Sequence, residues 1–166
     1  MTTKSVIILD ACVLINLSNA GKLDILEQIS NIEFLTTEHV ILEVTNEVQK
    51  EKVQHCITTG LIRVVDLTQP HVIEDYIKLN RRLGKGESSC IALATKHNWT
   101  VCSDDKKRVP RTIFDRLGPN HLLTTNDLLD LAISQQIISE KEKTEINESL
   151  KKISAQRIAA VVLEDI

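Results

Sequence analysis

Hydrophobic positions along the chain fall into short β-branched blocks separated by stretches of helical spacing. Val6-Ile7-Ile8-Leu9 is a continuous run typical of a strand buried on both faces. From Ala11 to Ile29 apolar residues then recur at helical spacing through Val13, Leu14, Leu17, Leu23, Leu26 and Ile29. Ile32 to Leu35 predicts a second strand, and Thr37 is placed to cap a helix carrying Val40, Ile41, Val44, Val48 and Val53, which ends at Gly60. Leu61 to Leu67 has strand composition, and Pro70 opens a helix through Val72, Ile73, Tyr76, Ile77 and Leu79. After the flexible Gly84-Lys85-Gly86-Glu87 break come a helix over Ser88 to His97, a strand over Trp99 to Ser103 and a basic helix around Lys106 to Leu117. A short Leu122-Leu123-Thr124 strand and a helix from about Asn126 to Gln135 follow. Strands alternating with helices predict an α/β fold with a parallel sheet covered on both faces.

From Ser139 onward the pattern changes. Ser139-Glu140-Lys141-Glu142 reads as a capping box, and Ile146, Leu150, Ile153 and Ile158 recur at near-helical spacing among charges of both signs. The expected organisation is a domain over residues 1–138 and a helical extension over 139–166, packed on the domain or on a partner. The apolar run Ile158 to Leu163 is too hydrophobic to be left in water without one.

With 166 residues, of which 42% are hydrophobic and 26% charged, the chain is long enough for one proper core and too apolar to be disordered. Asp10 and Asn16 interrupt the N-terminal apolar run, so it reads as a mature start, and no stretch reaches the roughly 18 apolar residues of a membrane span. Cys12, Cys56, Cys90 and Cys102 are widely spaced among aliphatic residues. They read as free thiols in a reducing, cytoplasmic setting. The five His residues show no paired metal spacing, and no nucleophile elbow, Walker loop or complete dinucleotide fingerprint occurs.

The informative residues are acids at element ends. Ligands of open parallel sheets bind outside the carboxyl ends of the strands. Asp10 directly follows the first predicted strand, and Asp104-Asp105 follow another; Glu87 opens a helix after Gly84-Lys85-Gly86, and Glu43 sits among Ile41, Leu42 and Val44. Each alone has an ordinary explanation, as a helix cap, a dipole partner or a solvated helix residue. Together, carboxylates converging on one edge repel one another and call for a divalent cation, and an all-oxygen ligand set suits Mg²⁺ or Mn²⁺. Such ions activate water and stabilise charge on a phosphodiester. Half of the chain's positive charge lies between Lys78 and Arg116, where ten Lys or Arg face four acids. Arg81, Arg82 and Lys85 lead into Glu87, while Lys106 and Lys107 follow Asp105, so these five are the expected phosphate contacts of a nucleic acid.

Four motifs in this order, IILDACVLINL, VILEV, LGKGESSCIALA and TVCSDD, resemble the PIN-domain nucleases, closest to VapC-like toxin ribonucleases in the branch whose third acid is Glu in a G-x-G-E context. The resemblance covers roughly residues 5 to 130. It implies a Rossmann-like three-layer α/β/α fold and a Mg²⁺- or Mn²⁺-dependent endoribonuclease in which Asp10, Glu43, Glu87 and Asp105 are catalytic. Asp10, Glu87, Asp105 and the adjacent Asp104 would hold the ion, and Ser103 would orient a ligand or water. The family's Thr-x-Asp maps onto Ser103-Asp104-Asp105 and favours Asp105 as the main acid. The implied partners are an RNA substrate, an antitoxin protein where the chain is a toxin, and a second copy in a homodimer. Family members often carry hydroxyl or amide side chains at the two places after the first Asp, where this chain has Ala11 and Cys12. That departure removes hydroxyls from around the site and keeps open a second reading, a PIN-like RNA- or protein-binding module with little or no catalysis. A receiver- or phosphatase-type acid-cluster domain is the third, although no D-x-D pattern follows Asp10.

Overall fold

The first β-branched block forms strand β1 (Ser5–Leu9) in a computed structural model that describes residues 3–164. Residues 1, 2, 165 and 166, at the outer ends of the ranges 1–138 and 139–166, lie outside the described residues. The chain continues through α1 (Ala11–Asn19), α2 (Ile25–Gln28), β2 (Ile32–Thr36), α3 (Glu38–Glu43), α4 (Glu47–Thr58) and β3 (Ile62–Val64). It then runs through α5 (Pro70–Leu79), α6 (Lys85–His97), β4 (Thr100–Cys102), α7 (Arg108–Leu117), β5 (Leu122–Leu123), α8 (Thr125–Ser134) and α9 (Glu140–Glu164).

The strands form one sheet in the order β3-β2-β1-β4-β5, and every neighbouring pair is parallel, as the buried aliphatic runs predict. The path steps outward from β1 to β2 to β3, then crosses back over both to β4. Right-handed crossovers in opposite directions place helices on opposite faces of the sheet, which gives the expected three-layer α/β/α arrangement. The reversal falls between β1 and β4, and the carboxyl ends of these two strands therefore flank the crevice where ligands of such sheets bind. Register brings the two ends level: Leu9 pairs with Cys102, and the Asp10 N–H donates to the Cys102 carbonyl at 3.0 Å.

Two predicted helices are each broken in two. The first ends at Asn19 because Gly21 takes a left-handed conformation, φ 66°, before α2 begins. The second stops at Glu43 and restarts at Glu47, where the Asn46 side-chain Oδ1 accepts from the N–H groups of Val48 and Gln49. Thr37 caps α3 as expected, accepting from Val40 N–H at 3.2 Å.

The core is aliphatic: Ile8, Leu9, Leu14, Leu35, Val40, Cys90, Ala94 and Leu129 are wholly buried. Ser139 caps α9, accepting from Glu142 N–H at 3.1 Å. Of the residues along α9 only Ile146 is buried among those described, and Leu150 is partly so. Ile158 and Leu163 are 66% and 72% exposed. No helix among the described residues is long and apolar enough to cross a membrane.

Candidate functional site

Asp10 leaves the end of β1 and caps α1. Its Oδ1 accepts from Ala11 N–H at 2.8 Å, while its Oδ2 accepts from the Ser103 hydroxyl at 2.9 Å and from the Cys12 thiol at 3.4 Å. Asp10 as a whole is only 4% exposed. Burial pushes its pKa above the ordinary carboxylate value and the nearby Glu43 charge adds to this, against the lowering effect of those three donors.

The strand β4 supplies Ser103, Asp104 and Asp105 at the adjoining end. The Ser103 hydroxyl bridges two acids, donating to Asp10 and accepting from Asp105 N–H at 3.3 Å. Asp105 Oδ2 accepts from the N–H groups of Lys107 and Val109, at 3.2 and 2.9 Å, and so turns the chain into α7. Asp104 points elsewhere. Its Oδ1 accepts from Thr125 N–H at 2.7 Å, and its Oδ2 from the Thr125 hydroxyl at 2.5 Å and from Asn16 Nδ2 at 2.7 Å, tying the end of β4 to the start of α8 and to α1. Of the two adjacent acids, Asp104 is engaged on both oxygens, and Asp105 keeps one oxygen with no hydrogen bond among the described residues.

Glu43 and Glu87 reach the same edge from helices. Glu43, the last residue of α3, accepts from Gly86 N–H through Oε1 at 2.8 Å, and Glu87 Oε2 accepts from Gly84 N–H at 3.1 Å at the start of α6. Behind them the Thr37 and Ser89 hydroxyls lie 2.7 Å apart, clasping α3 to α6. Burial raises the Glu87 pKa first, and the charges of Asp10, Asp105 and Glu43 raise it further. Asp10 and Glu87 therefore both feel the charge of neighbouring acids. The ion pairs among the described residues lie elsewhere, at Glu33, Glu74, Asp75 and Asp130.

The glycine at 86 has a steric reason. A Cβ at Gly86 would stand 2.6 Å from Glu43 Oε2, so a bare backbone is what lets this carboxylate settle on the helix start. Gly86→Ala is therefore expected to keep the fold, since Glu43 can swing into solvent and Ala favours the helix by about 0.5–1 kcal/mol. It should nevertheless displace Glu43 and weaken Mn²⁺ binding. A melting curve paired with a metal titration reads both effects.

The expectation of a closed carboxylate cluster needs correction. Among the described residues no three His, Cys, Asp or Glu side chains are gathered closely enough to hold an ion. Each acid is drawn instead onto its own amide or hydroxyl donor. The donor chemistry still fits a hard divalent cation, because Glu43 Oε2, Glu87 Oε1 and Asp105 Oδ1 accept no hydrogen bond among the described residues and no Lys or Arg neutralises them.

Cys12 is the residue whose part the sequence reading missed. Its thiol donates to Asp10, and its sulfur accepts from Asp104 N–H at 3.3 Å. Burial, then the charge of Asp10, pushes the thiol pKa up to about 12, which keeps it a neutral donor near pH 7. At the second of the two departing positions, sulfur thus supplies a hydrogen-bond donor to Asp10. Asn16 was missed as well, since only the fold brings it to Asp104.

The basic residues rim this edge. Arg81, Arg82, Lys85, Lys106 and Lys107 are all exposed and make no ion pair among the described residues. Arg108 Nη1 donates to the Arg82 carbonyl at 2.9 Å, joining the stretch before Glu87 to the one after Asp105. Arg116 and Lys78 are instead paired with Asp75 and Glu74.

A family model described as DUF3368: PIN domain matches residues 6–166. No curated protein matches the chain.

Proposed function

Because this chain belongs to the PIN-domain family, whose members are generally metal-dependent nucleases, we propose that it is an endoribonuclease that hydrolyses RNA with Mg²⁺ or Mn²⁺. The observation that carries this reading is that Asp10, Glu43, Glu87 and Asp105 are all held by their hydrogen bonds around the same β1–β4 edge, each of the last three with one carboxylate oxygen accepting no hydrogen bond among the described residues.

Asp10, Glu87 and Asp105 would hold the ion and Glu43 would complete the site, with Asp104 bracing β4 against α1 and α8. When bound, the ion supplies positive charge to the phosphate oxygens and lowers the pKa of a water. The chain's own groups do the positioning. Ser103 and Cys12 fix the orientation of the buried Asp10 carboxylate, and Ser103 also holds the Asp105 backbone. Arg81, Arg82, Lys85, Lys106 and Lys107 would grip the backbone phosphates on either side of the scissile bond. The thiol of Cys12, a donor to Asp10, supports this reading over the binding-module one.

At the finer level, the G-x-G-E start of α6 supports the VapC-like toxin branch, with an antitoxin encoded in the neighbouring reading frame as partner. Four free cysteines among the described residues support a reducing, cytoplasmic setting. Residues 1–138 would carry the catalytic core and 139–166 its extension.

Incubating labelled RNA with the protein tests the activity: Mg²⁺ or Mn²⁺ should give cleavage that a chelator stops, and intact RNA under all conditions would contradict the proposal. A second expectation concerns salt. Neutralising Arg81 with Arg82, or Lys106 with Lys107, should flatten the dependence of log binding constant on log salt by about 1.4, at roughly 0.7 per lost single-strand contact. An unchanged slope would place the RNA path elsewhere.

A further inference from the structure

Beyond Leu150 the helix α9 leaves the body of the domain. Lys143 is paired with Asp130 of α8, and Asn147 Nδ2 donates to Asn126 Oδ1 at 3.3 Å in the first turn of α8. At residue 147 the helix is therefore level with the sheet edge where β5 ends. Lys151 to Glu164 continue outward for about 21 Å at 1.5 Å per residue, exposed throughout except for a half-buried Ile153.

Between this overhang and the edge runs a groove of about 520 Å³ lined by Asn16, Asn126, Asn147, Leu150, Lys151 and Ile158. Its inner end is Asn16, which donates to Asp104 at 2.7 Å, so the groove opens beside the strand ends that bear the acids. We propose that the groove binds an unpaired nucleotide of the RNA strand flanking the cut, read by Asn126 and Asn147 and anchored by Lys151. The proposal rests on the ribonuclease reading above and adds α9 to its substrate surface.

The side chains present suit that ligand. The Asn126–Asn147 bond uses one amide group of each residue and leaves Asn126 Nδ2 as a donor and Asn147 Oδ1 as an acceptor. A neighbouring donor and acceptor match the edge of a base, and in RNA such edges are free to be read in unpaired segments. Leu150 and Ile158 offer apolar surface to the face of the base. Lys151 has no ion pair among the described residues, and the groove contains no carboxylate to repel a phosphate.

The test uses the full chain and a labelled unstructured RNA oligonucleotide in chelator, so that binding is read without cleavage. Asn126→Ala, Asn147→Ala and Lys151→Ala should each weaken binding about threefold to tenfold with unchanged melting, the scale of one hydrogen bond or phosphate contact. Photo-crosslinking of 4-thiouridine RNA to the wild-type protein should mark the peptide containing residues 147–158, a readout that needs no variant to fold. Undiminished binding in all three variants, or crosslinks confined to residues 81–108, would overturn the groove assignment. Cleavage by the wild type in Mn²⁺, measured alongside, separates the two claims: a wild type that cuts no RNA sinks the nuclease reading, while the groove is judged on binding and crosslinks alone.

Discussion

Asp10→Asn is expected to abolish RNA cleavage while leaving the protein as stable as the wild type or more so at neutral pH. Asn keeps the α1 cap, since its side-chain oxygen can still accept from Ala11 N–H. Its amide group can face the Ser103 hydroxyl and the Cys12 sulfur, both of which can accept. What disappears is the negative charge of a residue that is 4% exposed, beside Glu43. The loss of activity should be about a thousandfold or more, the scale of removing one charge-stabilising group from an active site.

The stability arm depends on pH in a defined direction. The native pKa of Asp10 lies above its unfolded value, so the folded chain holds this proton more tightly and wild-type stability falls as pH rises from about 4 through the native pKa. The advantage of Asp10→Asn in metal-free buffer should therefore be largest at neutral pH and shrink towards pH 4. A variant that melts far below the wild type at every pH would make Asp10 a fold-maintaining cap instead.

The second large effect is expected at Ser103, which is wholly buried. Ser103→Ala removes the hydroxyl that holds Asp10 Oδ2 and leaves Asp105 N–H without that acceptor. The unpaired amide should cost about 1–2 kcal/mol, or roughly 2–8 °C in Tm. Losing the group that orients a ligating carboxylate should lower metal affinity by about 10–100-fold. Cys12→Ser should keep affinity near the wild-type level because it retains a donor, whereas Cys12→Ala should fall part of the way. Mn²⁺ titrations of the three variants check this order, and equal affinity in all of them would mean that Asp10 is held by its cap alone.

Much of this was legible in the chain. The aliphatic block Val6–Leu9 has the composition of a strand buried on both faces, and an Asp placed directly after such a strand lies at the sheet's carboxyl edge. Glu87 was marked by the glycines before it, although the role of Gly86 in admitting Glu43 is steric and visible only in three dimensions. Local breaks were less legible: Gly21 and Asn46 end or begin helices through backbone conformation and a single cap, against an apolar periodicity that runs straight through them. The resemblance favoured Asp105 over Asp104, but the partners that engage Asp104 could not be read from the chain, because Asn16 and Thr125 lie 88 and 21 residues away from it. The overhang of α9 was hidden for a related reason. An apolar stripe shows that a face can be buried, but whether it is depends on where the neighbouring helix ends.

The most direct test is calorimetric titration of Mn²⁺ into the full-length protein and into Asp10→Asn, Glu87→Gln and Asp105→Asn. If these acids form a divalent-cation site at the β1–β4 crevice, the wild type gives a saturable binding isotherm, and each variant, still folded by its melting curve, loses most of that affinity. A wild type that takes up no Mn²⁺, or three variants that bind it as tightly as the wild type, would contradict the account.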